Sequence, residues 1–122
     1  MPDFNLGVIT DRLHDRRFIT TGNDHGVSDA RTVFHYRVDG AVVSGTYQGG
    51  HIRTGQVLGN IVGADQVELL YHCVTTQGEL LAGWSRGTVQ VDDRGQTVLH
   101  FHWGWLSGAE GGGTSSYVEA TP

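Results

Sequence analysis

The acid/base candidates in this sequence are Tyr36, Tyr47, Tyr71 and Glu79, assisted by His51 or His72, and a catalytic role is assigned to Tyr47, Tyr71 and Glu79. A phenol can donate a hydrogen bond to a carbonyl, and a carboxylate can serve as a general base, so these three are the catalytic candidates. Beside them stands the stretch from Leu99 to Trp105, which the two-residue period of a strand sorts into two rows. Leu99, Phe101, Trp103 and Trp105 share one face; His100, His102 and Gly104 share the other. Two neighbouring tryptophans on an apolar face line a volume as well as fill one. With Phe34, Tyr36 and Leu69, the residues Phe101, Trp103 and Trp105 form the expected ligand-binding wall, and the ligand that wall implies is small and apolar or aromatic.

Other chemistries find less support. Cys73, the only cysteine, falls mid-strand, where a buried structural thiol is better placed than a nucleophile. All eight basic residues are arginines, so no side-chain amine is present for Schiff-base chemistry. The seven histidines raise metal or haem ligation as one alternative, through His100 and His102 with His35 or His72 approaching from another strand. That row reads as outward and no carboxylate follows at ligand spacing, so no metal ligand and no cofactor is assigned. A second alternative is a non-catalytic interaction protein, whose outer rows of His35, His72, His100 and His102 meet another copy of the chain as a homodimer.

The 122 residues hold one domain, large enough to bury a core without staples. A formal charge of -5 arises from 13 acidic against 8 basic residues, and the arginines cluster only at Arg12, Arg16 and Arg17. Nucleic acid, which needs a basic stripe, is therefore not an expected partner. A single cysteine forms no intramolecular disulfide, and no run approaches the roughly 20 apolar residues of a membrane span. Without a signal-peptide pattern either, a cytoplasmic protein with no membrane partner is expected.

Strands must position the candidate residues. Nineteen glycines against two prolines point to many tight connections. Eight candidate runs follow one another: 16–21, 31–38, 41–48, 51–62, 66–75, 79–91, 96–106 and 114–120. Asp39-Gly40, Gln77-Gly78 and Asp93-Arg94-Gly95 supply hairpin chemistry between them, so consecutive strands neighbour one another antiparallel. The expected fold is all-β, a single eight-stranded antiparallel up-and-down barrel over residues 15–122, preceded over 1–14 by a loosely ordered N-terminal arm, with one turn of helix there as the alternative. Residues 22–30 and 107–113 read as longer loops. Alternation sends Tyr47, Val67, Leu69, Tyr71 and Cys73 inward with the Leu99 row, while the 79–91 run does not discriminate its faces. Gly45, Gly49, Gly55, Gly59 and Gly83 fall inside strands, where they either let the barrel curve or clear a cavity.

The pattern Phe34-His35-Tyr36, Gly45-Thr46-Tyr47 with Gly49-Gly50, Tyr71-His72, Gly78-Glu79-Leu80, and Leu99-His100 with Trp103, Trp105 and Gly108 resembles small bacterial proteins often labelled "N-acetylglutamate synthase". The likeness runs from about Arg16 to Glu119 and implies a calycin-like β-barrel. No pyrophosphate loop opens a helix in this chain, so the resemblance carries the fold and not an acetyl transfer. Its relatives carry an acidic residue where Phe101 stands, which implies a more apolar interior here. The Ser44-Gly45-Thr46-Tyr47 strand and the paired tryptophans also look like avidin-type barrels, an architectural likeness. The expected function is a small-molecule-binding barrel that could act as a cofactor-independent cyclase or isomerase. Its contribution would be to fold the substrate, exclude water and donate a tyrosine hydrogen bond.

Overall fold

The computed structural model describes residues 6–24 and 26–120. A short helix, α1 (Leu6–Leu13), leads into eight strands: β1 (Arg16–Asn23), β2 (Val33–Asp39), β3 (Val42–Gly49), β4 (Ile52–Ile61), β5 (Gln66–Thr75), β6 (Leu80–Val91), β7 (Thr97–Ser107) and β8 (Gly112–Glu119). Each pairs antiparallel with the next, and β8 returns to β1, closing the barrel. The turn chemistry explains this order: Gly40, Gly78 and Gly95 all adopt positive φ, as tight hairpins require. The segment 107–113, expected as a loop, yields its last two glycines to β8. Gly112 and Gly113 pair with Gly104 and Trp103.

The arm expected to be loosely ordered over 1–14 is helical from Leu6 to Leu13, and residues 1–5 lie outside the described residues. Leu6, Ile9 and Leu13 recur at helical spacing, and both Ile9 and Leu13 are buried. The helix lies at the end of the barrel where the β2–β3, β4–β5 and β6–β7 turns gather, and it contacts β2 and β6. Asp15 then turns the chain into β1 with its N–H bonded to the Tyr36 carbonyl. His14 Nδ1 accepts the Val38 N–H at 2.8 Å, which pins the helix to β2. Among the described residues no helix is long and apolar enough to cross a membrane.

With one end plugged by α1, the other is the mouth. It is framed by the β1–β2 loop, the β3–β4 turn, the β5–β6 turn and the β7–β8 loop. The β1–β2 loop bends over this mouth, held by Thr32 Oγ1 donating to the Gly49 carbonyl at 3.0 Å. Asp29 fixes its curve by accepting the Arg31 N–H at 2.8 Å.

Candidate ligand-binding site

The inward rows meet as an aromatic cluster. Phe34 stacks on Tyr47 with centroids 4.7 Å apart and meets Tyr117 edge-on at 5.1 Å. Phe101 leans on Tyr117 at 5.4 Å, and Trp103 and Trp105 meet edge-to-face at 5.1 Å. Tyr71 closes the group against Trp105 at 6.3 Å. Between these rings, in the half of the barrel toward the mouth, lies a cavity of about 50 Å³. At about 10–15 Å³ for each water held, that is room for about four waters, the bulk of one small ring.

Phe34, Tyr36, Leu69, Phe101, Trp103 and Trp105 all line this cavity, as do Tyr47 and Tyr71. Glu79 does not. It stands exposed in the β5–β6 turn, where its N–H bonds to Thr75 Oγ1 at 3.1 Å and its carboxylate sits 3.5 Å from the same hydroxyl. The residue opens a hairpin, so its backbone serves the turn while its side chain leaves the barrel.

The strand glycines explain how so many rings leave any space. A methyl group added at Gly83 would lie 2.5 Å from Tyr71 Oη, and one at Gly55 would strike the Tyr47 ring. At Gly87 the nearest atom is the His100 carbonyl oxygen, with Phe101 next, and at Gly45, Gly49 and Gly59 it is likewise a backbone oxygen. Gly55 and Gly83 therefore make room for the Tyr47 and Tyr71 rings, while the other strand glycines allow close approach of backbone.

Polar groups missed in the sequence occupy the same cavity: Asn23, Ser28, Ser85, Ser115 and Tyr117. The Ser28 hydroxyl accepts from Asn23 Nδ2 at 2.8 Å and from Thr20 Oγ1 at 3.1 Å. Tyr117 donates to Ser115 Oγ at 3.0 Å, leaving the Ser115 proton for the cavity. Ser85 and Tyr36 are buried on the cavity wall, yet their hydroxyls bond to no described residue. Trp103 Nε1 and Asn23 Oδ1 are likewise unpartnered. Burial pushes the phenols of Tyr36, Tyr47 and Tyr71 well above their ordinary value, so all three stay protonated and act as donors, not bases. Burial also raises the Cys73 thiol, which hydrogen-bonds Tyr47 and is a poor nucleophile.

A sequence signal did mark Ser85. Gly83-Trp84-Ser85-Arg86-Gly87 spells the Gly-x-Ser-x-Gly pattern of hydrolase elbows. All five residues are extended within β6, with no turn into a helix and, among the described residues, no histidine on the cavity wall to activate the serine. Gly83 makes room for Tyr71, Gly87 meets the β7 backbone at His100, and the serine is a hydroxyl on the cavity wall. The histidine row, by contrast, lies outside: His100 and His102 are exposed. Among the described residues no three histidine, cysteine or acidic side chains are grouped to hold a metal ion.

Compared with known proteins, residues 11–120 match the family described as "Avidin-like protein". No curated protein matches the chain. Among solved structures, "Crystal structure of rhizavidin-biotin complex" aligns with a TM-score of 0.56 at 13% identity, covering 88% of this chain and 92% of that one. At that identity the likeness is one of fold, and it agrees with the closed antiparallel barrel. None of these matches carries an N-acetylglutamate synthase name.

Proposed function

This chain belongs to the avidin-like protein family, and on that premise we propose that it is a binding protein for a small molecule with a flat apolar body and a polar edge. One observation carries the reading: Trp103 Nε1 and Asn23 Oδ1 are buried without a hydrogen-bond partner among the described residues, and both residues line an otherwise apolar cavity. Leaving such a group unsatisfied costs about 1–3 kcal/mol, which a bound molecule can return. The rhizavidin structure is titled as a complex with biotin, which makes biotin a natural first probe. The aromatic wall supports the apolar body expected from the sequence, and the hydroxyls add a polar requirement to it. A cyclase or isomerase step at this site would be limited to what neutral donors achieve, with Tyr47 and Tyr71 polarising a carbonyl. Glu79 is not among the residues that line the cavity.

The three tryptophans provide the test, because Trp103 and Trp105 line the cavity while Trp84 faces outward. Titration with biotin and with benzamide, followed by the indole N–H signals in NMR, should move the Trp103 and Trp105 resonances saturably and leave Trp84 in place. Movement of Trp84 alone, or of none of the three, sinks the reading.

A second copy of the chain is the partner that the outer wall favours. Leu58, Leu70 and Trp84 are cross-strand neighbours on β4, β5 and β6, exposed by 61%, 59% and 39%. Such a patch, rimmed by Gln56, His72 and the Glu68–Arg86 ion pair, suits an isologous contact. A two-fold axis crossing the strands at Leu70 lays Leu70 on Leu70 and sets each Glu68 opposite the His72 of the other copy. Sedimentation should give a dimer that Leu70→Glu converts to a folded monomer; a native chain monomeric at millimolar concentration rules this out.

A further inference from the structure

We propose that the outer wall of the barrel carries a second site, at which His100 and His102 chelate one divalent transition-metal ion of the Zn²⁺ type. The site lies on the other face of β7 from the aromatic cavity and stands independently of the binding reading above.

The two imidazoles alternate with the inward Leu99, Phe101 and Trp103, and both are exposed. Two residue rises along a strand set their Cβ atoms roughly 6.6 Å apart on one face. A tetrahedral ion with bonds of about 2.0–2.1 Å needs two nitrogens about 3.4 Å apart, a gap that exposed rings close by turning about their side-chain bonds. Other histidines are engaged: His14 accepts the Val38 N–H, His35 lies 2.7 Å from Asp15, and His51 lies 4.0 Å from Asp29. The rings of His100 and His102 bond to no described residue, so no described group competes for their nitrogens.

The surroundings suit a cation. Both histidines line one outer concavity with Thr88, Thr114, Ser116 and Asp24. Thr114 lies directly across from His102 on β8, and its hydroxyl donates to Asp24 Oδ2 at 3.0 Å. Asp24 thus brings a negative charge to the same concavity, which spacing along the sequence does not reveal. On the opposite flank Arg86 stands across from His102, and Glu68 offsets its charge by holding the guanidinium at 3.1 Å. Among the described residues no third histidine, cysteine or acidic side chain is grouped with the pair, so water completes the coordination. Two imidazoles and water favour Zn²⁺, Ni²⁺ and Cu²⁺ over Mg²⁺ and Ca²⁺, which take oxygen ligands.

Titration of the full chain with Zn²⁺ should shift the His100 and His102 imidazole signals in NMR saturably and leave those of His51 in place. Because the second bond of a chelate is intramolecular, His100→Gln or His102→Gln alone should weaken Zn²⁺ binding at least ~10-fold, whereas His51→Gln should not change it. Both positions are exposed, so glutamine leaves the core untouched, and circular dichroism checks that each variant is folded. Zn²⁺ binding at full strength in the folded double variant would place the ion elsewhere and overturn the site. So would displacement of Zn²⁺ by an equal concentration of Mg²⁺, or the absence of saturable binding by about 1 mM Zn²⁺.

Discussion

Gly55→Ala is expected to cost the barrel about 1–3 kcal/mol and to abolish binding in the cavity, although the change adds one methyl group. The Gly55 position is buried beneath the Tyr47 ring, and the added carbon would lie 2.5 Å and 2.6 Å from the two Cε atoms of that ring. Real side chains do not approach so closely, so the ring must move. It has little freedom to do so, since Tyr47 is 4% exposed, stacks on Phe34 at 4.7 Å and hydrogen-bonds Cys73. The remaining direction is into the cavity, where about 50 Å³ is available. A double-mutant cycle with Tyr47→Leu isolates the cause, because a shorter side chain no longer covers Gly55. Urea unfolding should show the Gly55→Ala penalty largely gone in the Tyr47→Leu background. An equal penalty in both backgrounds would mean that the methyl group strains the strand itself, and the proposed seating of rings on glycines would be wrong.

That role for glycine marks where the sequence was readable and where it was not. The Leu99–Trp105 row, the Phe34–Tyr36 pair and the Val67–Cys73 row were legible because large apolar residues alternate with polar ones on strands with one buried face. Every strand boundary lies within two residues of its expected place, because positive-φ glycines punctuate the hairpins. Strand β6 could not be oriented from its pattern: its inward row is Leu81, Gly83, Ser85, Gly87 and Val89, whose middle members bring no apolar bulk of their own. They are buried by rings that arrive from β5 and β7, a tertiary fact absent from the local pattern. The polar half of the site was hidden for a related reason. Small hydroxyl residues read as solvent-facing or as turns, and Ser28 reaches the cavity only because its loop folds over the mouth. Helix α1 was legible only as an alternative of one turn, since Val8, 50% exposed, blurs a three-residue apolar stripe over only two turns. Glu79 was singled out for its chemistry, a lone carboxylate near an aromatic wall, and the structure places it in the exposed β5–β6 turn, where its backbone bonds to Thr75.

The same buried phenols should make the protein fail abruptly in alkali. Tyr36, Tyr47, Tyr71 and Tyr117 all have pKa values raised above 10.0, with desolvation as the first cause in each case. Up to about pH 9 the phenols are neutral in folded and unfolded chains alike, so they make stability no function of pH. Above 10 the unfolded chain releases phenolic protons that the folded barrel still holds, and the equilibrium shifts toward unfolding. Each phenol then removes up to about 1.4 kcal/mol per pH unit, so four of them at pH 11 remove on the order of 5 kcal/mol. A domain with a total of about 5–15 kcal/mol is brought to the edge of unfolding by that loss. The chain has no lysine, which leaves the tyrosines and Cys73 as the groups able to drive such a transition between pH 10 and 11. Phenolate absorbance near 295 nm should therefore appear together with the loss of circular dichroism, in one cooperative step. Tyr36→Phe, which keeps the ring and removes one titrating hydroxyl, should make the fall in stability shallower. Phenolate absorbance rising with an ordinary midpoint near 10 while the barrel stays folded would show that these hydroxyls reach water freely. In that case the cavity would not be the secluded site on which the binding reading depends.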